Sequence, residues 1–162
     1  MRILVLSDTH IPRAAHSLPE TILDEIKKSD MVLHAGDFVD EEVLDNILKL
    51  NKDLHAVYGN MDSQALRRRL KDKEIITAGK FKIGLIHGYG APKDLIQTVA
   101  GEFRNVDAIV FGHSHSAINI EKDGMLFFNP GSPTDTIFAK ANTYGILEVD
   151  EKGIKGTIVR LQ

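Results

Sequence analysis

The chain has no cysteine among its 162 residues. Disulfides and thiolate metal sites are therefore excluded, and a metal would have to be held by nitrogen and oxygen donors. Long apolar runs are also missing. The longest span only a few residues, far short of the ~20 that a membrane-spanning helix needs. Basic charge is not in excess: 20 Lys and Arg stand against 23 Asp and Glu, for a formal net charge of −3. Nothing in the overall field calls for nucleic acid. No charged and apolar leader precedes the first strand, and no repeat, linker or low-complexity stretch interrupts the chain. The expectation is one domain over residues 1–162, cytoplasmic, with no membrane contact and room for a real core.

What is present is a regular alternation in the first half. Arg2–Leu6 reads as a buried strand. Pro19 suits the first turn of a helix whose inner face is Leu18, Ile22, Leu23 and Ile26. Asp30–His34 reads as the second strand, a helix from about Asp40 buries Val43, Leu44, Ile47 and Leu48, and Leu54–Tyr58 reads as the third strand. That β-α-β-α-β order implies parallel strands with right-handed crossovers. The second half reads mostly as strands: a hairpin of 74–77 and Phe81–Ile86, then Asp107–Phe111, and two further pairs, 117–121 with 125–128 and 144–149 with 154–161. One helix follows Pro92, with Leu95, Ile96, Val99 and Phe103 inward. Two mixed sheets packed face to face, with helices outside, satisfy this pattern.

Five segments share one grammar, in which an apolar strand is followed by a turn and then a residue able to bind metal. They are Asp8-x-His10, Gly36-Asp37-x-x-Asp40, Gly59-Asn60-Met61-Asp62, His87-Gly88 and Gly112-His113-Ser114-His115. Together they offer carboxylates, one amide oxygen and four imidazoles. The set suits manganese, iron, nickel, cobalt or zinc, and is too rich in histidine for magnesium or calcium. It exceeds what one ion can use, whereas two ions sharing a bridging carboxylate would use all of it.

The ordered motifs D-x-H, G-D-x-x-D, G-N-x-D, H-G and G-H-x-H resemble the signature of calcineurin-like metallophosphoesterases. The length and the Asn129-Pro130-Gly131-Ser132 stretch are similar to the small YfcE-type phosphodiesterases. The resemblance implies an α/β fold, a four-layer α/β/β/α sandwich with a dinuclear metal site at the sheet edges. It implies that Asp8, His10 and His115 hold one ion and that Asn60, His87 and His113 hold the other. Asp37 would bridge them, and Asp37, Asn60 and His87 would belong to the catalytic machinery. Two divalent ions, manganese first, would then hydrolyse a small phosphate ester through a bridging hydroxide.

One position departs from the pattern. Many relatives carry His after the Asn, as a proton donor to the leaving group, paired with the residue at Asp40. Here that position is Met61, which cannot donate, so the expectation is a restricted phosphodiesterase. Arg13, Asp40 and Met61 are the candidate substrate contacts. Arg67-Arg68-Arg69 reads as a solvated helix face, with anion steering as the alternative, Asp62 as a residue that orders its loop, and His34 as either support behind the ligands or a packed core histidine. The rival expectation is a non-catalytic protein-interaction scaffold of the same fold, as in the retromer subunit. A nuclease is disfavoured by the lack of a basic stripe, and a homo-oligomer is compatible with the sequence.

Overall fold

A computed structural model describes all residues from Met1 to Gln162. In chain order the strands are β1 (Arg2–Leu6), β2 (Met31–His34), β3 (Leu54–Ala56), β4 (Lys73–Ala78), β5 (Phe81–Ile86), β6 (Ala108–Val110), β7 (Ile118–Lys122), β8 (Met125–Asn129), β9 (Thr143–Val149) and β10 (Ile154–Arg160). The helices are α1 (Glu20–Lys28), α2 (Glu41–Leu50), α3 (Gln64–Arg69) and α4 (Leu95–Ala100). One sheet has the order β10-β9-β1-β2-β3 and the other β4-β5-β6-β8-β7. In the first, β1, β2 and β3 are parallel, with Ile3 opposite Met31 and Val32 opposite Leu54, while β9 runs antiparallel to β1. In the second, β5, β6 and β8 are parallel, flanked by antiparallel β4 and β7.

Three apolar layers hold this arrangement. Ile3, Val5, Leu33, Ile83, Leu85 and Val110 meet between the sheets. Leu4, Leu6 and Val32 point the other way, to Ile22 and Ile26 of α1 and to Val43, Leu44 and Ile47 of α2. On the far face, Ile109, Phe111 and Phe127 pack against Leu95 and Val99 of α4. Alternation along β1 thus feeds two different cores, as a strand buried on both faces must. Each such side chain contributes about 1.5–3 kcal/mol on burial. The four layers are helices, sheet, sheet and helix, as the sequence predicts.

Several boundaries move for local reasons. Strand β2 starts at Met31 because the Asp30 carboxylate accepts the Arg2 N–H. Strand β3 stops at Ala56 because Val57 and Tyr58 turn to pair with Lys71. The segment after Pro92 begins as a 3₁₀ turn, and its helix ends at Ala100. Phe103 is therefore buried from a turn rather than from the helix; its ring lies where a Cβ on Gly84 would be, only 2.8 Å from the ring carbon.

Candidate metal centre

Five loops leave the carboxyl ends of β1, β2, β3, β5 and β6, and they converge at one rim shared by the two sheets. This is where open α/β sheets bind ligands. The backbone bends sharply there. Asp8, His10, Asp37, His113 and His115 all have left-handed φ, between 44° and 70°. Such conformations cost on the order of 1–3 kcal/mol each for residues other than glycine, and they gather at functional sites. Glycine supplies the remaining room: a methyl on Gly59 would overlap the Asp37 carboxylate.

The side chains fall into two groups. In the first, Asp8 Oδ1 lies 3.4 Å from His115 Nε2 and 3.8 Å from His10 Nε2, and those two nitrogens are 3.2 Å apart. Asp8 Oδ2 accepts the Ser7 hydroxyl and the His113 N–H. Asp8 Oδ1 accepts nothing, although it is fully buried. A buried carboxylate oxygen without a donor is expensive. This one faces imidazole nitrogens across a gap with the chemistry of a cation site.

In the second group, Asn60 Oδ1 sits 3.1 Å from both His87 Nε2 and His113 Nδ1. The outer nitrogens fix both rings. His87 Nδ1 donates to the Ala35 carbonyl at 2.7 Å, and His113 Nε2 to the Gly90 carbonyl at 3.1 Å. In the neutral rings, the form a metal needs, the other nitrogens would carry lone pairs toward Asn60. Asp37 stands between the groups. Its Oδ2 is 3.5 Å from His10 Nε2 and 3.4 Å from His87 Nε2, while its Oδ1 accepts the Met61 N–H at 2.7 Å. Asp8 Oδ1 also reaches within 3.9 Å of His87 Nε2, so the two groups adjoin.

Electrostatics follow from this crowding. Burial opposes ionisation of Asp37, but the His87 ring, the Met61 N–H and the His10 ring outweigh it and hold the carboxyl below its ordinary range. Burial likewise opposes charge on His87. The hydrogen bond to Asp37 and the charges of Asp8 and Asp37 prevail, and raise it from 6.5 to about 9. His10 is raised too, against burial, by Asp8 and Asp37. Without an ion, these rings are drawn toward protons in place of a metal. The donors are all nitrogen and oxygen, are preorganised, and fit divalent transition-metal ions.

The surrounding residues divide. Arg13 and Met61 line a cleft of about 440 Å³ together with His10, His113 and His115. Asp40 is not brought to that cleft. Its carboxylate accepts the Glu42 N–H as the α2 N-cap, and it lines a separate groove of about 390 Å³ with Ile11 and Val43. The Asp62 carboxylate accepts the N–H groups of Asp37, Val39 and Gly59, tying the Asp37 and Asn60 loops together. His34 is buried behind them, stacked on Phe38, with Nδ1 accepting the Gly36 N–H and Nε2 meeting the Thr9 hydroxyl. Burial, with His87 nearby, pushes it down to about 3, so it stays neutral.

The basic run does not form a free anion-steering face. Arg67 bonds to the carbonyls of Gly59, Asn60 and Asp62 and lies over the Tyr58 ring. Arg69 pairs with Glu41 and Asp45. Further supports come from the end of β8 and the segment after it, of which the sequence marked only Asn129 and Ser132. Asp135 accepts Nδ1–H of His115, and Ser132 and Thr134 donate to the carbonyls of Asp8 and Thr9. The Asn129 side chain donates to the Gly112 carbonyl and Ser114. The stretch after β8 thus braces both the β1 and β6 loops. The Asn-Pro-Gly-Ser motif was the only sequence signal for it.

Residues 1–152 match the calcineurin-like phosphoesterase superfamily domain. The chain is 39% identical over 137 residues to a probable metallophosphoesterase of Methanocaldococcus jannaschii, covering 83% of this chain and 69% of that one. Among solved structures it resembles a Thermotoga maritima protein at 33% identity and a TM-score of 0.77, with 99% of each chain covered. It also resembles Vps29 of Entamoeba histolytica in complex with Zn²⁺, at 27% identity and a TM-score of 0.76, again with 99% of each chain covered.

Proposed function

The chain belongs to the calcineurin-like phosphoesterase superfamily, and from that premise we propose that it is a phosphodiesterase working with two divalent metal ions. Asp8, His10 and His115 would hold one ion, Asn60, His87 and His113 the other, and Asp37 would serve both. The observation that carries this reading is the division of six side chains into two groups on either side of Asp37 Oδ2. The orphaned Asp8 Oδ1 adds to it, because a cation would satisfy that oxygen. Manganese heads the candidates, followed by nickel, iron, cobalt and zinc.

When bound, the ions supply Lewis acidity toward the phosphoryl oxygens and make hydroxide available near neutral pH. The protein does the rest. Asp135, Ala35 and Gly90 hold the imidazoles of His115, His87 and His113 in the ligating tautomers. Asp62 and Arg67 keep the Asp37 and Asn60 loops in register. Arg13, at the mouth of the cleft, offers a cation to the phosphate. Met61 occupies the place where relatives put a proton donor and can give no proton. The leaving group must therefore depart as a stable anion, which favours activated or aryl diesters over alkyl monoesters.

A second reading, a non-catalytic interaction scaffold, draws on the likeness to Vps29. Vps29 binds Zn²⁺, so metal binding does not separate the two readings; turnover does. The test is a panel of phosphomonoesters and diesters assayed with each metal. The enzyme reading expects diester hydrolysis in at least one metal. No turnover of any ester in any metal would favour the scaffold.

A further inference from the structure

Scattered exposed apolar residues need no explanation, but a cluster beside a polar site does. Ile137 is 80% exposed and Phe138 73%, and both line the same cleft as His10, His113 and His115. The segment is firmly tied. The Ile137, Phe138 and Ala139 N–H groups all donate to the Asp135 carboxylate, at 2.8, 3.2 and 3.0 Å for the bonds to Oδ1, Oδ1 and Oδ2. That carboxylate also accepts from His115, and the Phe138 ring stands edge-on to the His115 ring at 5.8 Å. The apolar wall is therefore built in register with a ligand histidine. Arg13 is in the same cleft and has no carboxylate partner.

We propose that this wall seats the ester arm that stays on phosphorus, and that the arm carries a flat aromatic or heteroaromatic ring. The substrate is then a phosphodiester with such a ring next to the phosphate, while Arg13 faces the remaining phosphate charge. The inference rests on the two-ion phosphodiesterase reading above. A cleft of about 440 Å³ falls in the range of small-molecule sites. A protein partner would need a far broader surface, of ~800 Å² on each side. The cation and the apolar wall together match the two halves of such an ester.

The test holds the leaving group constant. Phenyl p-nitrophenyl phosphate and methyl p-nitrophenyl phosphate both release p-nitrophenolate, so their kcat/KM ratio, divided by the ratio of their uncatalysed hydroxide rates, reports what the protein does with the retained arm. The metal-loaded protein should favour the phenyl ester by about tenfold, the worth of one good aromatic contact. Phe138→Ala, a surface change, should bring the ratio toward one, and Phe138→Tyr should keep it. A wild-type ratio near one, or a ratio that Phe138→Ala leaves unchanged, would overturn the inference while leaving phosphodiesterase activity standing. If neither ester is cleaved, the catalytic reading fails by itself. Calorimetric titration of the metal-loaded protein with phenylphosphonate and methylphosphonate then decides about the wall: tighter phenyl binding lost in Phe138→Ala supports it, and equal affinities overturn it.

Discussion

His115 donates from Nδ1 to the Asp135 carboxylate and turns Nε2 toward Asp8 Oδ1, 3.4 Å away. The imidazole is oriented by a residue twenty positions later that belongs to none of the candidate metal motifs. Burial raises the cost of charge on Asp135, yet the His115 bond and the Ile137 and Phe138 N–H groups outweigh it and hold the carboxyl below its ordinary range. It is therefore an ionised partner that makes the ring a stronger donor.

Asp135→Asn should thus weaken the ion held by Asp8, His10 and His115. Loss of such a partner typically lowers metal affinity about 10–100-fold. Competition with a fluorescent chelator measures it. Unchanged affinity at both sites would remove Asp135 from the metal centre.

Gly59→Ala should disturb Asp37 without touching the core. Its methyl would overlap the Asp37 carboxylate, which must then shift. A displacement near 1 Å in a catalytic constellation can cost about 10²-fold in rate. Diester turnover, with circular dichroism as a check on folding, gives the answer. Full activity in a folded variant would show that Asp37 need not sit where it does.

Ion loading should release protons. In the metal-free chain His87 is raised from 6.5 to about 9, so its ring is protonated at neutral pH. A metal needs the neutral ring, so apparent affinity should climb as pH rises toward 9 and then level. The linkage sign is the usual one for a raised histidine. The metal-free fold gains from this proton fully below 6.5 and loses that gain as pH climbs through 9. Calorimetry at pH 7.5 in buffers of different ionisation enthalpy counts the protons. No release on loading would contradict the assignment of His87.

Met61→His should return a proton donor to the cleft. A well-positioned general acid is worth about 10²–10⁴ in rate. The Asp40 carboxylate is engaged at the α2 N-cap and not beside Met61 in the cleft, so the new imidazole would lack a carboxylate to orient it. The gain should fall near the lower end. It should appear in kcat/KM for alkyl esters more than for aryl esters. An equal change in both would mean that position 61 does not face the leaving group.

The fold, and the convergence of the motif residues at one rim, were legible because they are local. Apolar runs such as Ile3–Leu6 mark buried strands, and a ligand after each strand end falls at the shared rim by topology. The supports were not legible, because they depend on contacts between distant segments. Asp135 meets His115 only after β7 and β8 have folded back. Arg67 reads in sequence as one of a solvated run, yet it bonds three carbonyls of the Asn60 loop. Asp40 reads in sequence as part of the G-D-x-x-D motif and a substrate contact, and in the structure it serves as the α2 cap.

The central claim is that Asp37 and the six side chains around it form a two-ion catalytic centre. Stepwise reconstitution of chelated protein with Mn²⁺ tests it most directly, reading metal content and bis(p-nitrophenyl) phosphate turnover on the same samples. Activity is expected to be absent in the chelated protein, to rise steeply only beyond one ion per chain, and to level at two. Full turnover without metal, or saturation at a single ion, would contradict it.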